Sequence, residues 1–252
     1  DDAGVQKIMP QLKRATLTYG VSEDADVRAV ELCRTGTKSR IKVARPGEEQ
    51  LLELELNMPG HHNILNSLAA VAVAHELGLD DAALQTALAG FEGIDRRLQI
   101  VGEHIVAARR VLFIDDYAHH PTEIAATLDA VRQGWPDKRV LVVFQPHRYS
   151  RTRDLMDDFA EVLAGVDCLF VAEVHAAGEQ PIAGADGRSI CRAVRTRGQV
   201  EPVFIPDLTK LAADLAPVLE DGDLVLTLGA GSIGAIAQAL PAQLGGQKVV
   251  AQ

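Results

Sequence analysis

Cysteine is too sparse and too scattered to build with: Cys33, Cys168 and Cys191 are odd in number and form no CxxC pair. Neither a disulfide framework nor a zinc site is indicated, and a reducing compartment such as the cytoplasm fits that usage. No apolar run approaches the roughly 20 residues that cross a bilayer, and no signal peptide opens the sequence. The first residue is Asp rather than Met, so the sequence is expected to begin at a boundary within a longer protein. Positive charge is the minority sign, 25 Lys and Arg against 35 Asp and Glu, for a net charge of −10. That balance argues against nucleic acid or an anionic membrane as the main partner, while a local basic cluster could still bind a small anion. A phosphate-binding P-loop is also missing. Gly36-Thr37-Lys38-Ser39 comes nearest, but Thr37 precedes the lysine and Leu32 stands where the earlier glycine belongs, so it reads as a hairpin turn.

What is present suits a soluble globular chain of one large or two ordinary domains: 252 residues, 47% apolar and 24% charged. A short helix is expected over 6–13, then four strands at 15–19, 27–33, 39–44 and 50–56 in a β-meander. From Gly60 the apolar period becomes helical, through Leu65, Leu68, Ala72 and Val73 to a stop at Gly78. A second helix, capped by Asp80, stops at Gly90. Beyond Arg97 the pattern alternates. Strands are expected at 99–102, 111–114, 139–144, 167–172, 202–205 and 223–228, with helices at 121–133, 152–164, 186–197, 207–219 and 232–240. The fold class is therefore α/β: residues 1–96 form a meander with helices, and residues 97–252 a Rossmann-like, doubly wound, mostly parallel sheet.

Chemistry concentrates where strands end. The apolar run Val111–Ile114 stops at Asp115-Asp116-Tyr117-Ala118-His119-His120, and Pro121 then opens a helix. In an open α/β sheet this carboxyl end is where ligands bind. One of the aspartates could simply cap the helix, but a cap needs one side chain and not five. After the next strand comes Gln145-Pro146-His147-Arg148-Tyr149-Ser150-Arg151-Thr152-Arg153, at the same end of the sheet. Arginine suits bidentate recognition of carboxylate or phosphate, although these side chains could instead pair with Asp154, Asp157 or Asp158. Asn63 and Asn66, three apart at the start of a helix, could read a purine edge or serve as cap and surface residue. Gly229-Ala230-Gly231-Ser232-Ile233-Gly234 matches GxGxxG, the basis for a nicotinamide-dependent oxidoreductase. It lies in the last βα unit with no acidic strand end following, so tight packing explains it as well.

Together these segments resemble the ATP-dependent Mur ligases of bacterial cell-wall synthesis, over almost the whole sequence. The resemblance rests on Gly60-x-His62-Asn63-x-x-Asn66, Arg96-Arg97, Asp115–Glu123, Gln145–Arg153, Ala177-Gly178-Glu179-x-Pro181-Ile182 with Gly184-Ala185-Asp186, and Gly229–Ile233. The double histidine and the Gln-Pro-His-Arg segment point to the branch that adds alanine. The resemblance implies ATP as cofactor with Mg2+, and UDP-N-acetylmuramate and L-alanine as partners; the oligomeric state is left open. It implies that His62, Asn63 and Asn66 contact the adenine end of ATP or line its site. Arg97 would reach the nucleotide, Asp116 the ribose hydroxyls, and Tyr117 would line the nucleotide. His119, Arg148 and Arg151 would hold the amino acid. Only the later half of the central ATPase domain and the C-terminal domain are matched, so the UDP-binding domain, the P-loop and the magnesium ligands are expected in a missing upstream region. The chain alone is then expected to be inactive. Another Mur-type amino-acid ligase and a non-catalytic nucleotide-binding module are the alternatives.

Overall fold

The computed structural model describes residues 1–35 and 37–249. Its contacts divide the chain into two compact units, residues 1–93 with 129–136, and residues 94–128 with the remainder from 137. Among the described residues no helix is long and apolar enough to cross a membrane.

The first unit opens with α1 (Ala3–Ile8), where the Asp2 side chain accepts from the Val5 N–H at 2.7 Å. The helix expected over 6–13 thus starts earlier, because Asp2 caps it. It gives way to a 3-10 turn at Met9–Gln11, where Pro10 has no N–H to continue the ladder. A four-stranded sheet follows in the order β1 (Tyr19–Gly20), β2 (Val27–Thr35), β3 (Lys38–Ala44), β4 (Leu52–Leu56). Strands β2 to β4 form the expected antiparallel meander. The first strand departs from expectation: it is two residues long and runs parallel to β2. Asp26 accepts from both the amide and the hydroxyl of Thr18, at 2.8 and 2.6 Å, closing a loop that brings the chain back in the same direction. Gly36 of the expected hairpin turn lies outside the described residues. Alternation along β3 and β4 buries Ile41, Val43, Leu52, Leu54 and Leu56 against Ile64, Leu68 and Val71 of α2 (His61–Glu76), while Lys38 and Glu55 pair on the open face. Helix α3 (Asp81–Ala89) is capped by Asp80, which accepts from the Ala83 N–H at 3.1 Å.

The second unit is a seven-stranded sheet in the order β11-β5-β6-β10-β7-β8-β9, from β5 (Gln99–Val106), β6 (Arg109–Asp116), β7 (Val140–Phe144), β8 (Cys168–Ala172), β9 (Val203–Ile205), β10 (Leu224–Leu228) and β11 (Gln247–Lys248). Strands β6, β10, β7, β8 and β9 are mutually parallel. β5 and β6 instead form an antiparallel hairpin about Ala107 and Ala108, whose φ angles are 48° and 66°. Hairpin turns of two residues need this left-handed backbone and usually signal it with Asn or Gly. Two alanines gave no such signal, which explains why the separate strands 99–102 and 111–114 are longer than expected.

Both faces of the parallel strands are covered, as in a doubly wound sheet. Val111, Phe113, Leu141, Val143 and Val225 share a cluster with Leu211 and Leu215 of α8 (Leu211–Leu215) and with Ile233 and Leu240 of α9 (Ile233–Gln243). Their neighbours Leu112, Ile114, Val142 and Phe144 are buried too, and Phe144 meets Phe159 at 5.4 Å. Phe159 belongs to α6 (Met156–Ala164), which a break at Leu155 separates from α5 (Tyr149–Asp154), so the single helix expected over 152–164 is two. The helix expected over 207–219 shrinks to α8 between 3-10 turns, the second of them at Pro217. The other helices, α4 (Pro121–Gly134) and α7 (Gly187–Thr196), lie close to their expected places.

Candidate active site

Strand β10 sits between β6 and β7, so the connection leaving β7 runs one way along the sheet and that leaving β10 the other. The crevice of such a sheet forms at the carboxyl ends of the strands where these directions part. The loop after β6 carries Tyr117 to His120, that after β10 Gly229 to Ser232, that after β7 Gln145 to Arg148, and that after β8 Glu173 to His175. Backbone bonds stitch the loops together: Gly229 donates to the Asp116 carbonyl at 3.2 Å, and Gln145 to that of Leu228 at 2.9 Å.

The paired acids at the end of β6 divide their work. Asp115 is wholly buried, held at 2.9 Å by Nε of Arg96 and at 2.8 Å by the Thr227 hydroxyl. Arg96 also donates to the Gly229 carbonyl, and its own carbonyl accepts from the Tyr117 N–H at 2.6 Å. Asp116 accepts from the backbone N–H of Leu98 and of Ala118, each at 2.7 Å. Burial pushes its carboxyl above the ordinary range, and the Asp115 charge adds to this against the pull of those amides and of Arg97. Each oxygen retains a lone pair for a further donor. Tyr117 carries two guanidinium groups near its ring, Arg96 at 5.1 Å and Arg97 at 5.5 Å from the centroid. Arg97 is half exposed, its nearest acid being Glu123 at 3.9 Å.

Four rings then form a row. Tyr117 meets His119 at 5.3 Å and His119 meets His147 at 5.4 Å, both edge to face, while His147 stacks on His175 at 5.5 Å. The parallel bridge between His147 and His175 sets that stack: Arg148 N–H donates to the His175 carbonyl at 3.0 Å, and His175 N–H to that of Pro146 at 2.8 Å. Nδ1 of His119 lies 3.0 Å from the Tyr117 carbonyl and 3.2 Å from Glu123. Burial raises the Glu123 carboxyl, but the His119 amide and ring, the His120 amide and Arg97 outweigh it and leave the group below its usual range. His147 is pushed below the usual imidazole range by burial first, then by His119, His175, Arg151 and Arg148. Arg148 takes a positive φ of 72° at the start of α5, and NH1 of Arg151 lies 3.4 Å from the His147 carbonyl. Among the described residues neither arginine forms an ion pair, although the Arg148 charge helps to lower Glu179, whereas Arg153 is paired with Asp154 at 2.7 Å. Ser150 is tied to Glu179 by its amide and hydroxyl at 2.9 and 2.6 Å, and that hydroxyl holds the carboxyl of Glu179 low.

The second unit thus gathers Arg97, Asp116, Tyr117, His119, Arg148 and Arg151. His62, Asn63 and Asn66 belong to the first unit, in the opening turns of α2. There Gly60, not Asn63, is the cap residue, and the Asn63 amide donates to the Pro59 carbonyl at 2.8 Å, while Asn66 is exposed. Sequence reasoning gave Arg96 and His147 a place in motifs but no role, and it missed His175, which only the pairing of distant segments brings in. It also missed what the glycines accommodate. A Cβ on Gly231 would lie 2.5 Å from Oε1 of Gln145 and 2.7 Å from the His175 side chain. The same Gln145 oxygen accepts from the Ile233 N–H at 3.0 Å, filling the helix start where a pyrophosphate would sit in a dinucleotide fold.

Comparison with known proteins identifies the family. Residues 96–231 match the Mur ligase glutamate ligase domain, and residues 1–74 the Mur ligase middle domain. A UDP-N-acetylmuramate–L-alanine ligase of Methylococcus capsulatus is 54% identical over 249 residues, covering 99% of this chain and 52% of that protein. The chain therefore spans about half the length of the curated relative it matches. Among solved structures, a UDP-N-acetylmuramate-alanine ligase of Thermotoga maritima superposes with a TM-score of 0.72 at 28% identity, over 90% of this chain and 47% of that one. A MurF ligase of Thermotoga maritima in complex with ADP shares the fold, with a TM-score of 0.69 at 20% identity over 97% of this chain and 52% of its own. Since the C-terminal match alone spans more than half of its residues, this chain belongs to the Mur ligase family.

Proposed function

We propose that this chain carries the amino-acid-binding and part of the nucleotide-binding machinery of an ATP-dependent cytoplasmic ligase of peptidoglycan synthesis, one that joins L-alanine to UDP-N-acetylmuramate. The observation that carries it is the pair Arg148 and Arg151, which form no ion pair among the described residues and lie with His119 around His147, in an acidic protein. Two guanidinium groups that form no ion pair among the described residues suit the carboxylate of an amino acid. Asn63 and Asn66 contact the adenine end of ATP, with His62 lining its site; Asp116 accepts from the ribose hydroxyls, Arg97 reaches the nucleotide and the Tyr117 ring lines it.

In such a reaction the muramyl carboxylate becomes an acyl phosphate, the alanine amine attacks the acyl carbon, and phosphate leaves from the tetrahedral intermediate. This chain's part is positioning, which brings the amine to the acyl carbon. The magnesium that would screen the phosphates is held, in this proposal, by residues outside the chain. Phosphate release tests the proposal: the full-length protein should release phosphate only with ATP, UDP-N-acetylmuramate and L-alanine all present, and the 252-residue chain should release none. Release by the full-length protein that does not depend on L-alanine, or turnover by the chain that Asp116→Ala abolishes, would overturn it.

A further inference from the structure

Gly234, the last glycine of the run after β10, lies in the first turn of α9, and a Cβ there would come within 2.5 Å of Nε and 2.7 Å of Nη1 of Arg96. The glycine is the seat of a guanidinium. From that seat Arg96 pairs with Asp115 at 2.9 Å through Nε, donates to the Gly229 carbonyl through Nη2, and lies 5.1 Å from the centroid of the Tyr117 ring. One side chain thus ties the end of β6 to the loop after β10 and to the start of α9.

The backbone of Arg96 grips the same place: its N–H donates to Oε1 of Gln99 at 3.0 Å, and its carbonyl accepts from the Tyr117 N–H at 2.6 Å. Arg96 and Leu98 both take left-handed φ angles, 59° and 48°, which residues other than glycine hold only where their surroundings impose them. Arg97 sits between the two. Its guanidinium lies 5.5 Å from the centroid of the Tyr117 ring, and the next N–H, that of Leu98, is bonded to Asp116 at 2.7 Å.

We infer that Arg96 is a positioning residue for the nucleotide: it sets the turn that presents Arg97 and fixes Asp116 and Tyr117 beside it. The inference rests on the proposed assignment of those three residues to ATP. Arg148 and Arg151 belong to a different segment, the loop after β7, which is stitched to the loop after β8 by the bond from the Arg148 N–H to the His175 carbonyl. Loss of Arg96 should therefore reach ATP and spare the amino acid.

The test is steady-state kinetics of the full-length ligase, run well below the melting temperature of each variant. Arg96→Met should raise the KM for ATP by about tenfold or more, since misplacement by about 1 Å can cost a hundredfold, and leave the KM for L-alanine close to wild type. Gly234→Ala keeps the arginine but evicts its guanidinium, so it should raise the ATP constant likewise. The double variant should be no worse than the poorer single one, because both changes remove the same contacts. Arg96→Lys keeps a charge for Asp115 but lacks the planar fork that also reaches Gly229, and it should fall between wild type and Arg96→Met. Leu215→Ala, a core truncation in α8, is the control that loses stability with both constants unchanged. If Arg96→Met behaves like that control, if both constants rise together, or if Gly234→Ala binds ATP as wild type does, the positioning role is refuted; should Arg96→Met fail to fold, Gly234→Ala and Arg96→Lys decide. Asp116→Ala separates the two levels: an ATP constant that it leaves unmoved overturns the assignment of the nucleotide contacts, and the inference with it.

Discussion

Replacing Arg96 by Met removes the only cation that, among the described residues, pairs with the wholly buried carboxylate of Asp115. Asp115 has no exposed surface, and its partners are Nε of Arg96 at 2.9 Å and the Thr227 hydroxyl at 2.8 Å. Without the arginine one hydroxyl remains to balance the charge. Breaking a buried pair from one side costs about 3–5 kcal/mol. Because the Arg96 side chain is 23% exposed, water enters part of the site and the lower end applies, about 3 kcal/mol. In a chain of this size each kcal/mol lowers the melting temperature by about 2–4 °C, so a fall of roughly 6–12 °C is expected in calorimetry of the 252-residue chain. Arg97→Met is the control. That side chain is half exposed and 3.9 Å from Glu123, a pair worth about 0–1 kcal/mol. Adding Asp115→Asn to Arg96→Met should recover a large part of the loss, since no buried charge is then stranded. Equal, small losses in Arg96→Met and Arg97→Met would refute the division of labour between the two arginines.

Asn66→Ala in the full-length ligase should weaken ATP binding while leaving the KM for L-alanine and the melting temperature nearly unchanged, because Asn66 is exposed and is not the cap of α2; a lowered melting temperature with unaltered ATP affinity would return it to a structural role. Glu123 has a folded pKa below its ordinary 4.5, so its contribution to stability is present above that value and is lost as pH falls through the lower one. Glu123→Gln should therefore be less stable than wild type at neutral pH, by a small margin at so accessible a site, with the gap closing as pH falls below the ordinary carboxylate value. A gap that widens on acidification would contradict the direction of the shift.

Much of the site was legible in the sequence because polar residues that interrupt an apolar run mark a strand's end. Asp116, Tyr117 and His119 stand out after Val111–Ile114, and Arg148 and Arg151 after Val140–Phe144. Spacing could not tell which member of an adjacent pair does what. Asp115 and Asp116 are neighbours on one strand and Arg96 and Arg97 neighbours in the turn before β5, and the structure turns Arg96 inward to Asp115. His175 was invisible for another reason: only the parallel pairing of β7 with β8 lays it on His147. The hairpin of β5 and β6 escaped because Ala107-Ala108 adopts a backbone that alanine rarely signals.

The most direct measurement is the Michaelis constant for each substrate in the full-length ligase carrying Arg148→Ala or Arg151→Ala. Loss of one charge-assisted hydrogen bond to a carboxylate costs about 1.5–3 kcal/mol, or roughly tenfold to a hundredfold in affinity. The constant for L-alanine should rise by that factor while the constant for ATP stays close to wild type. If the two constants rise together, or if only that for ATP rises, these arginines do not hold the amino acid, and the assignment of the site is wrong.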